Sequence, residues 1–413
     1  MKIRSRRART APEPLLAFVL LKPYSGRYNR SVMRGMYRFT KYTLSALVVL
    51  AAPVDMLWSG DRASRFTTQP DVRSERGPRG HQFVTRSPRR CGIRFTHCVR
   101  NVSDGALEDV EVVVAVPVSG ARQDIHETYF EPRPSQIAYD ASGQRTATFR
   151  LGTLPPHGEA RVELTVDATL WELQWLISER DLGSASEIPD SVLRRYLRDG
   201  SDYRIEEAIL QRAAERVGTP DGGILEQVRR VHDFVIDSLD YERDARWDPA
   251  DTVLRRGRGS CSEYSYLMIA LCRLHGVPAR YAGGTWIDTA EDDAGEEALA
   301  GGVLHVDRVF HRWVEVYLPR LGWFPIDPTR DDRASEEGAP YRYFGRLPWS
   351  CLAFYRGDGA ERLGNRLGSD YRSSTRWRGS SEATDDRVVV ERYAVWSDKQ
   401  SEGIVTARAA LGD

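Results

Sequence analysis

The apolar positions of this chain change period as the sequence advances. Between residues 91 and 170 they form short runs: Val110-Glu-Val-Val-Val-Ala-Val116, Thr146-Ala-Thr-Phe-Arg-Leu151 and Ala160-Arg-Val-Glu-Leu-Thr-Val166. Turn clusters such as Asn101-Val-Ser-Asp-Gly105 and Pro155-Pro-His-Gly158 bound them. Short strands at this spacing predict a small β-sandwich over residues 91–170. From Pro189 to Leu239 the period becomes helical, with Ile224, Val228, Val231, His232 and Val235 on one face. His232 lies on that stripe and reads as a packed core histidine.

A second helix has marked ends. Ser260 and Glu263 form a capping-box pair, and Tyr264, Leu267, Met268, Leu271 and Cys272 come next at helical spacing. Gly276 and Pro278 stop it, with His275 at its C-terminus. Cys261 falls at the first helical position, on the stripe that faces the core. Period two then returns in Val309–Leu318, with His311, Trp313 and Tyr317 on one face and Phe310, Val314, Val316 and Leu318 on the other. Pro319-Arg-Leu-Gly322 turns the chain, and Trp323-Phe-Pro-Ile-Asp-Pro328 brings it back. Loop parity decides which face receives Asp327. A four-residue loop puts it opposite Val314, on the wrong face. A three- or five-residue loop puts it opposite Trp313, diagonal to His311, where Cβ atoms lie about 7–8 Å apart and the side chains meet.

These positions hold the three parts of a cysteine nucleophile: Cys261 as attacker, His311 as base and Asp327 as orienter. A helix N-terminus carries about half a positive charge and unpaired N–H groups. Both favour thiolate, and the Cys261 N–H is a ready oxyanion donor. Cys272 and Cys351 lack this setting and read as packing. Trp247 is a candidate second oxyanion donor, with a structural aromatic as the alternative.

Composition narrows the picture. The 413 residues suggest two or three domains. Net charge is zero, but residues 1–41 hold eleven Lys or Arg and one acid, which leaves the rest of the chain acidic. That excludes nucleic acid as the main partner of the folded part. Cys91 and Cys98 flank an expected strand and are too far apart for a disulfide if that strand is extended. No spacing suggests zinc, and no cofactor or metal is implied. Glu291-Asp-Asp-Ala-Gly-Glu-Glu297 lacks the spacing of a calcium loop and reads as a solvated loop. His305 has no paired acid or cysteine.

Residues 1–58 read as a targeting segment, in which Met36–Lys41 and Tyr42–Ala52 supply a charged n-region and a short apolar h-region. Translation from Met33 or Met36 fits that pattern. The apolar run is too short for a membrane span, so export to the periplasm or outside the cell is expected, with a cytoplasmic or membrane-anchored location as the alternative. Transient membrane association would run through this segment. Residues 59–90 read as a mobile linker, and 357–413 as a C-terminal extension whose composition specifies no fold.

Gly259-Ser-Cys-Ser-Glu-Tyr-Ser-Tyr-Leu267, Leu271–Gly284, His311-Arg-Trp-Val-Glu-Val-Tyr317 and Gly322-Trp-Phe-Pro-Ile-Asp-Pro-Thr329 resemble the transglutaminase-like superfamily over about residues 190–350. The resemblance implies an α+β fold: a papain-like core over residues 188–356, with helices packed on an antiparallel sheet and the β-sandwich before it. Tyr341–Gly345 would supply its last strands. The resemblance carries nucleophile, base and carboxylate onto Cys261, His311 and Asp327. It implies a protein or peptide substrate and a thioester acyl-enzyme resolved by water or an amine. The alternative is a catalytically silent member that binds or scaffolds.

Overall fold

The computed structural model describes residues 73–76, 82–139, 143–243, 246–286, 304–305, 310–336, 338–357, 373–378 and 387–398. They fall within one unit, Phe66–Asp413. The targeting segment and the acidic run at 291–297 lie outside the described residues. Among those described, no helix is long and apolar enough to cross a membrane.

Seven strands come first: β1 (Arg73–Arg76), β2 (Gln82–Asn101), β3 (Leu107–Val116), β4 (Gln123–Glu131), β5 (Gln136–Tyr139), β6 (Arg145–Leu154) and β7 (Glu159–Trp175). They form two facing sheets, and alternate residues such as Ile93, Phe95, Val112, Val114, Phe149 and Leu164 fill the space between. The strand-rich region is longer than expected. Residues 73–76 and 82–90, expected to be linker, are strands, and Cys91 and Cys98 lie inside β2 instead of flanking a strand. All five cysteines are free and buried.

The C-terminal residues also depart from expectation. β16 (Ser373–Arg376) pairs with β3, and β17 (Val388–Asp398) pairs with β2 along its whole length. The sandwich is therefore discontinuous, closed by strands from both ends of the chain. Buried His97 on β2 bridges to β16, with Nδ1 2.8 Å from Ser373 Oγ and Nε2 2.6 Å from Thr375 Oγ1. The polar make-up of Ser373-Ser-Thr-Arg376 hid this strand. Its hydroxyls are spent on a buried histidine, not on solvent.

The second layer contains helices α1 (Asp190–Tyr196), α2 (Ala208–Val217), α3 (Ile224–Ser238), α4 (Ala250–Arg256), α5 (Cys261–Leu274) and α6 (Pro328–Glu336). The short strands β8 (Asp240–Tyr241) and β9 (Arg258–Gly259) pair in parallel just before α5. A four-stranded antiparallel sheet has the order β13 (Gly322–Ile326), β12 (Phe310–Leu318), β10 (Ala279–Trp286), β15 (Cys351–Gly357). β11 (Leu304–His305) and β14 (Arg346–Leu347) instead join the sandwich. Tyr341–Gly345, expected as strand, turns and makes a single bridge from Phe344 to Ile326.

Helix α5 runs through the middle. Its residues from Cys261 to Arg273 are all buried, against β10 and β12 on one side and α2, α3, α4 and α6 on the others. The expected apolar stripe is only part of that surface. A helix enclosed all round needs its polar groups paired internally. Ser265 Oγ donates to the Cys261 carbonyl at 2.8 Å, and Tyr264 Oη lies 2.8 Å from both the Leu239 carbonyl and Asp332 Oδ2.

The two layers share β3. Val112 and Val114 point into the sandwich, while Val113 and Ala115 pack on the helical core. Burial on both faces explains the unbroken apolar run at Val112–Val116. Gln123 adds a polar link across the layers, accepting from Ala353 N–H at 2.9 Å and donating to the Ala353 carbonyl at 3.1 Å.

Candidate active site

The start of α5 is built around a buried carboxylate. Glu263 accepts the Ser260 N–H at 2.7 Å, the Asp248 N–H at 3.2 Å and Arg256 Nη2 at 2.6 Å. Three donors satisfy a charge that burial alone would forbid. Gly257 ends α4 with φ +70°, a left-handed conformation that favours glycine. A Cβ on Gly259 would sit 2.8 Å from Glu263 Cβ, closer than real contacts allow. Gly-Arg-Gly-Ser therefore delivers Cys261 to the first turn in one orientation.

His311 stands near the start of β12, opposite Gly284 of β10. Gly284 is a close approach: an added Cβ would run into the Leu352 carbonyl of β15. Leu318 pairs with Gly322 across three residues, one of the two loop lengths that bring Asp327 to the His311 side. His311 Nε2 lies 2.5 Å from Asp327 Oδ2. A carboxylate oxygen accepts, so Nε2 carries the proton and Nδ1 is left to face the thiol.

Asp327 is more than the turn residue that Asp-Pro suggests. Its Oδ1 accepts the Arg330 N–H at 3.1 Å, and its carbonyl accepts the Asp331 N–H at 3.0 Å. It thus caps α6, with Pro328 in the first helical position where a missing N–H costs nothing. One carboxylate oxygen holds the helix and the other holds the imidazole. Asp331, one turn on, accepts the Tyr343 N–H at 2.7 Å and sits 3.0 Å from His232 Nε2. His232 is fully buried as its stripe position implies. Burial pulls its imidazole down, but hydrogen bonds to Asp233 and Asp331 prevail and raise it.

Electrostatics separate Cys261 from the other described thiols. Burial pushes it up, but the hydrogen bond and charge of His311, with those of Arg312 after them, bring it below the ordinary thiol range. Burial likewise pulls the His311 imidazole down, and Asp327, then Cys261, raise it well above the usual histidine value. Burial instead pushes Cys272 up to about 12 and raises Cys351. Cys98 goes up to about 11 through burial and its contact with Glu159.

Arg312 had no signal in the sequence, because alternation along β12 assigns it to the face opposite His311. Its side chain is buried, and its positive charge helps to lower the Cys261 thiol. Trp247 is half-buried with φ +52°, and its ring centroid is 5.1 Å from the Arg312 guanidinium carbon. Among the described residues no group of three His, Cys, Asp or Glu could hold a metal.

Residues 211–328, which run from α2 to the start of α6, match the transglutaminase-like superfamily model. This chain carries a transglutaminase-like domain. Among solved structures, a putative cysteine protease from Cytophaga hutchinsonii superposes with a TM-score of 0.53 at 13% identity, covering 76% of this chain and 92% of that one. Identity that low speaks to the fold alone, and the fold includes the sandwich as well as the transglutaminase-like core. A protein-glutamine gamma-glutamyltransferase of Pseudomonas aeruginosa is 32% identical over 111 residues, 22% of this chain and 15% of that protein. The uncharacterized protein YebA of Bacillus subtilis is 36% identical over 73 residues, 17% of this chain and 10% of that protein. The chain thus spans only a small part of the length of these curated relatives.

Two measurements test this transglutaminase-like site. Asp327→Asn keeps an N-cap, whereas Asp327→Ala removes it, so the alanine variant should be less stable than the asparagine variant by about 1 kcal/mol in urea unfolding. Equal stabilities would remove the capping role. Iodoacetamide should modify Cys261 with a pH midpoint below the ordinary thiol value of about 8.5, because the pairing lowers the pKa and thiolate persists to lower pH. Peptide mapping should find Cys98, Cys272 and Cys351 unmodified in the native protein. A midpoint at or above the ordinary value would exclude the ion pair.

Proposed function

We propose that this chain is a cysteine enzyme that acts on protein or peptide amide bonds through a thioester acyl-enzyme, with Cys261 as nucleophile, His311 as base and acid, and Asp327 as orienting carboxylate. One observation carries the reading: Cys261 opens a buried helix, and His311, the imidazole that draws its thiol pKa down, has Nε2 2.5 Å from the fully buried Asp327 carboxylate.

The thiolate attacks the amide carbonyl while the Cys261 N–H, unpaired at the helix start, donates to the developing oxyanion. His311, carrying the proton of the ion pair, gives it to the departing nitrogen as the C–N bond breaks. It then takes a proton from the incoming water or amine. Asp327 keeps the ring in one orientation and stabilises imidazolium throughout. Water as acceptor gives hydrolysis, and an amine gives transfer. The glutamyltransferase relative supports the amide side chain of glutamine as the first substrate class to try.

Export belongs to the same proposal and is supported by the charged and apolar stretches at Met36–Ala52. An alkaline phosphatase fused after residue 58 should be active when produced in bacteria; an inactive fusion would leave the cytoplasmic reading.

Incubation with a glutamine peptide, with and without a labelled amine, tests the chemistry. Ammonia release alone marks hydrolysis, and label incorporation marks transfer. Cys261→Ala and His311→Ala should each abolish acyl-enzyme formation, with rates lower by several orders of magnitude, on the order of 10⁴-fold or more. Asp327→Asn should retain a reduced rate. Wild-type turnover in Cys261→Ala would falsify the mechanism, and a wild-type protein that acylates on no amide or ester would favour the silent binding reading.

A further inference from the structure

Two carboxylates stand one turn apart at the start of α6, and each is met by a histidine from a different element. His311 of β12 serves Asp327, with Nε2 2.5 Å from Oδ2. His232 of α3 serves Asp331, with Nε2 3.0 Å from Oδ2. No step of the mechanism uses the second pair, although both of its side chains are wholly buried. Charge makes its presence costly. His232 Nδ1 lies 3.3 Å from Asp233 Oδ1, so the ring faces a carboxylate on each side and donates to both only as imidazolium. Burial pushes the Asp331 carboxyl up to about 6 against the pull of His232, and the charge of Asp327 adds to the rise. Apolar side chains of similar size would serve packing at least as well, because a buried ion pair recovers little beyond its desolvation cost.

What the pair holds is the backbone of Asp327. Asp331 Oδ1 accepts the Tyr343 N–H at 2.7 Å, and the Tyr343 carbonyl accepts the Asp327 N–H at 3.3 Å. The Asp327 carbonyl accepts the Asp331 N–H at 3.0 Å, which closes the circuit. His232 also backs the same turn with its ring, 5.4 Å from the Tyr341 ring centroid and 5.5 Å from that of Phe344. Tyr341 Oη donates to Asp233 at 2.8 Å, and Phe344 bridges to Ile326, the residue before Asp327. The other charges on this turn are Arg330, whose Nη1 donates to Tyr343 Oη at 3.3 Å, and Arg229, 5.6 Å from the Phe344 ring centroid. One histidine thus ties α3, the Tyr341–Phe344 turn and α6 around the main chain of Asp327.

We propose that His232 and Asp331 are positioning residues for Asp327: together they hold the Tyr343 peptide against its backbone and so keep its carboxylate on the His311 ring. Neither touches substrate, and neither exchanges a proton during turnover. Their effect reaches the thiol through geometry, since a carboxylate that drifts from Nε2 stabilises imidazolium less, and both thiolate formation and acylation depend on that imidazolium. The proposal rests on the acyl-enzyme reading and deepens it.

The test separates positioning from a merely structural role. Asp331→Ala and His232→Gln are compared with wild type in urea unfolding, in the pH midpoint of iodoacetamide alkylation at Cys261, and in the acylation burst with p-nitrophenyl acetate at several ester concentrations. With Asp327 less firmly held, thiolate forms only at higher pH, so the alkylation midpoint should rise. In Asp331→Ala the limiting acylation rate should fall about 10-fold or more, towards the ~100-fold that an ångström of misplacement costs, at an unchanged half-saturating ester concentration. His232→Gln keeps a donor for Asp331 and loses the charge. It should move both readouts the same way by less, and it carries the test if the alanine variant fails to fold. Lower stability with midpoint and acylation rate both unmoved would overturn the proposal, since the pair would then only hold the fold together. A change confined to the half-saturating concentration would overturn it too. Cys261→Ala run alongside keeps the two claims apart: a burst that survives there sinks the acyl-enzyme reading itself, whatever His232 and Asp331 do.

Discussion

Enclosure of the Cys261 helix on every side governs this structure. A helix with no solvent face cannot leave its terminal N–H groups to water, and moving it means moving all its neighbours. The Glu263 carboxylate, itself buried and met by three donors, takes the Ser260 N–H at the end where the thiol sits. Cys261 is therefore positioned by packing and by a buried charge cluster. The sheet carrying His311 and the helix capped by Asp327 are then placed relative to it.

Much of the site was legible because its chemistry is local. Ser260 and Glu263 announce a helix start three residues apart, and Cys261 inherits its position from them. The His311–Asp327 meeting needed only the parity of a hairpin loop, and the observed three-residue loop has it. Asp327 as a helix cap was equally local, since Asp-Pro-Thr-Arg is a standard cap sequence. It went unread because a strand ending in Asp-Pro also describes a turn, and the polar run Thr329-Arg-Asp-Asp-Arg333 carries no apolar stripe to mark it as a helix.

Other features stayed hidden because they are long-range. Arg312 meets the Trp247 ring only through the fold, and its place on β12 says nothing of that contact. The Asp331–His232 pair joins residues 99 apart. β16 is polar because its hydroxyls face a buried histidine, while β17, with its β-type run Val388-Val-Val-Glu-Arg-Tyr-Ala-Val-Trp396, pairs with a strand about 290 residues earlier that no local pattern names. The double burial of β3 shows the same effect from the opposite side: Val113 and Ala115 extended a run that the sandwich alone did not require.

Discontinuity of the sandwich has a consequence for biogenesis. A ribosome delivers β2 well before its neighbour β17, and the His97–Ser373 contact closes 276 residues of chain. Until then β2 presents an open edge, the kind of surface that invites pairing with the wrong strand. The helical core between them is complete much sooner. The middle of this polypeptide therefore has the chance to fold first and hold the two ends near each other, which shortens the search that a high-separation pairing otherwise demands. If the chain travels unfolded across a membrane, that order is reset on the far side, and the arrival of β17 decides when the sandwich is finished.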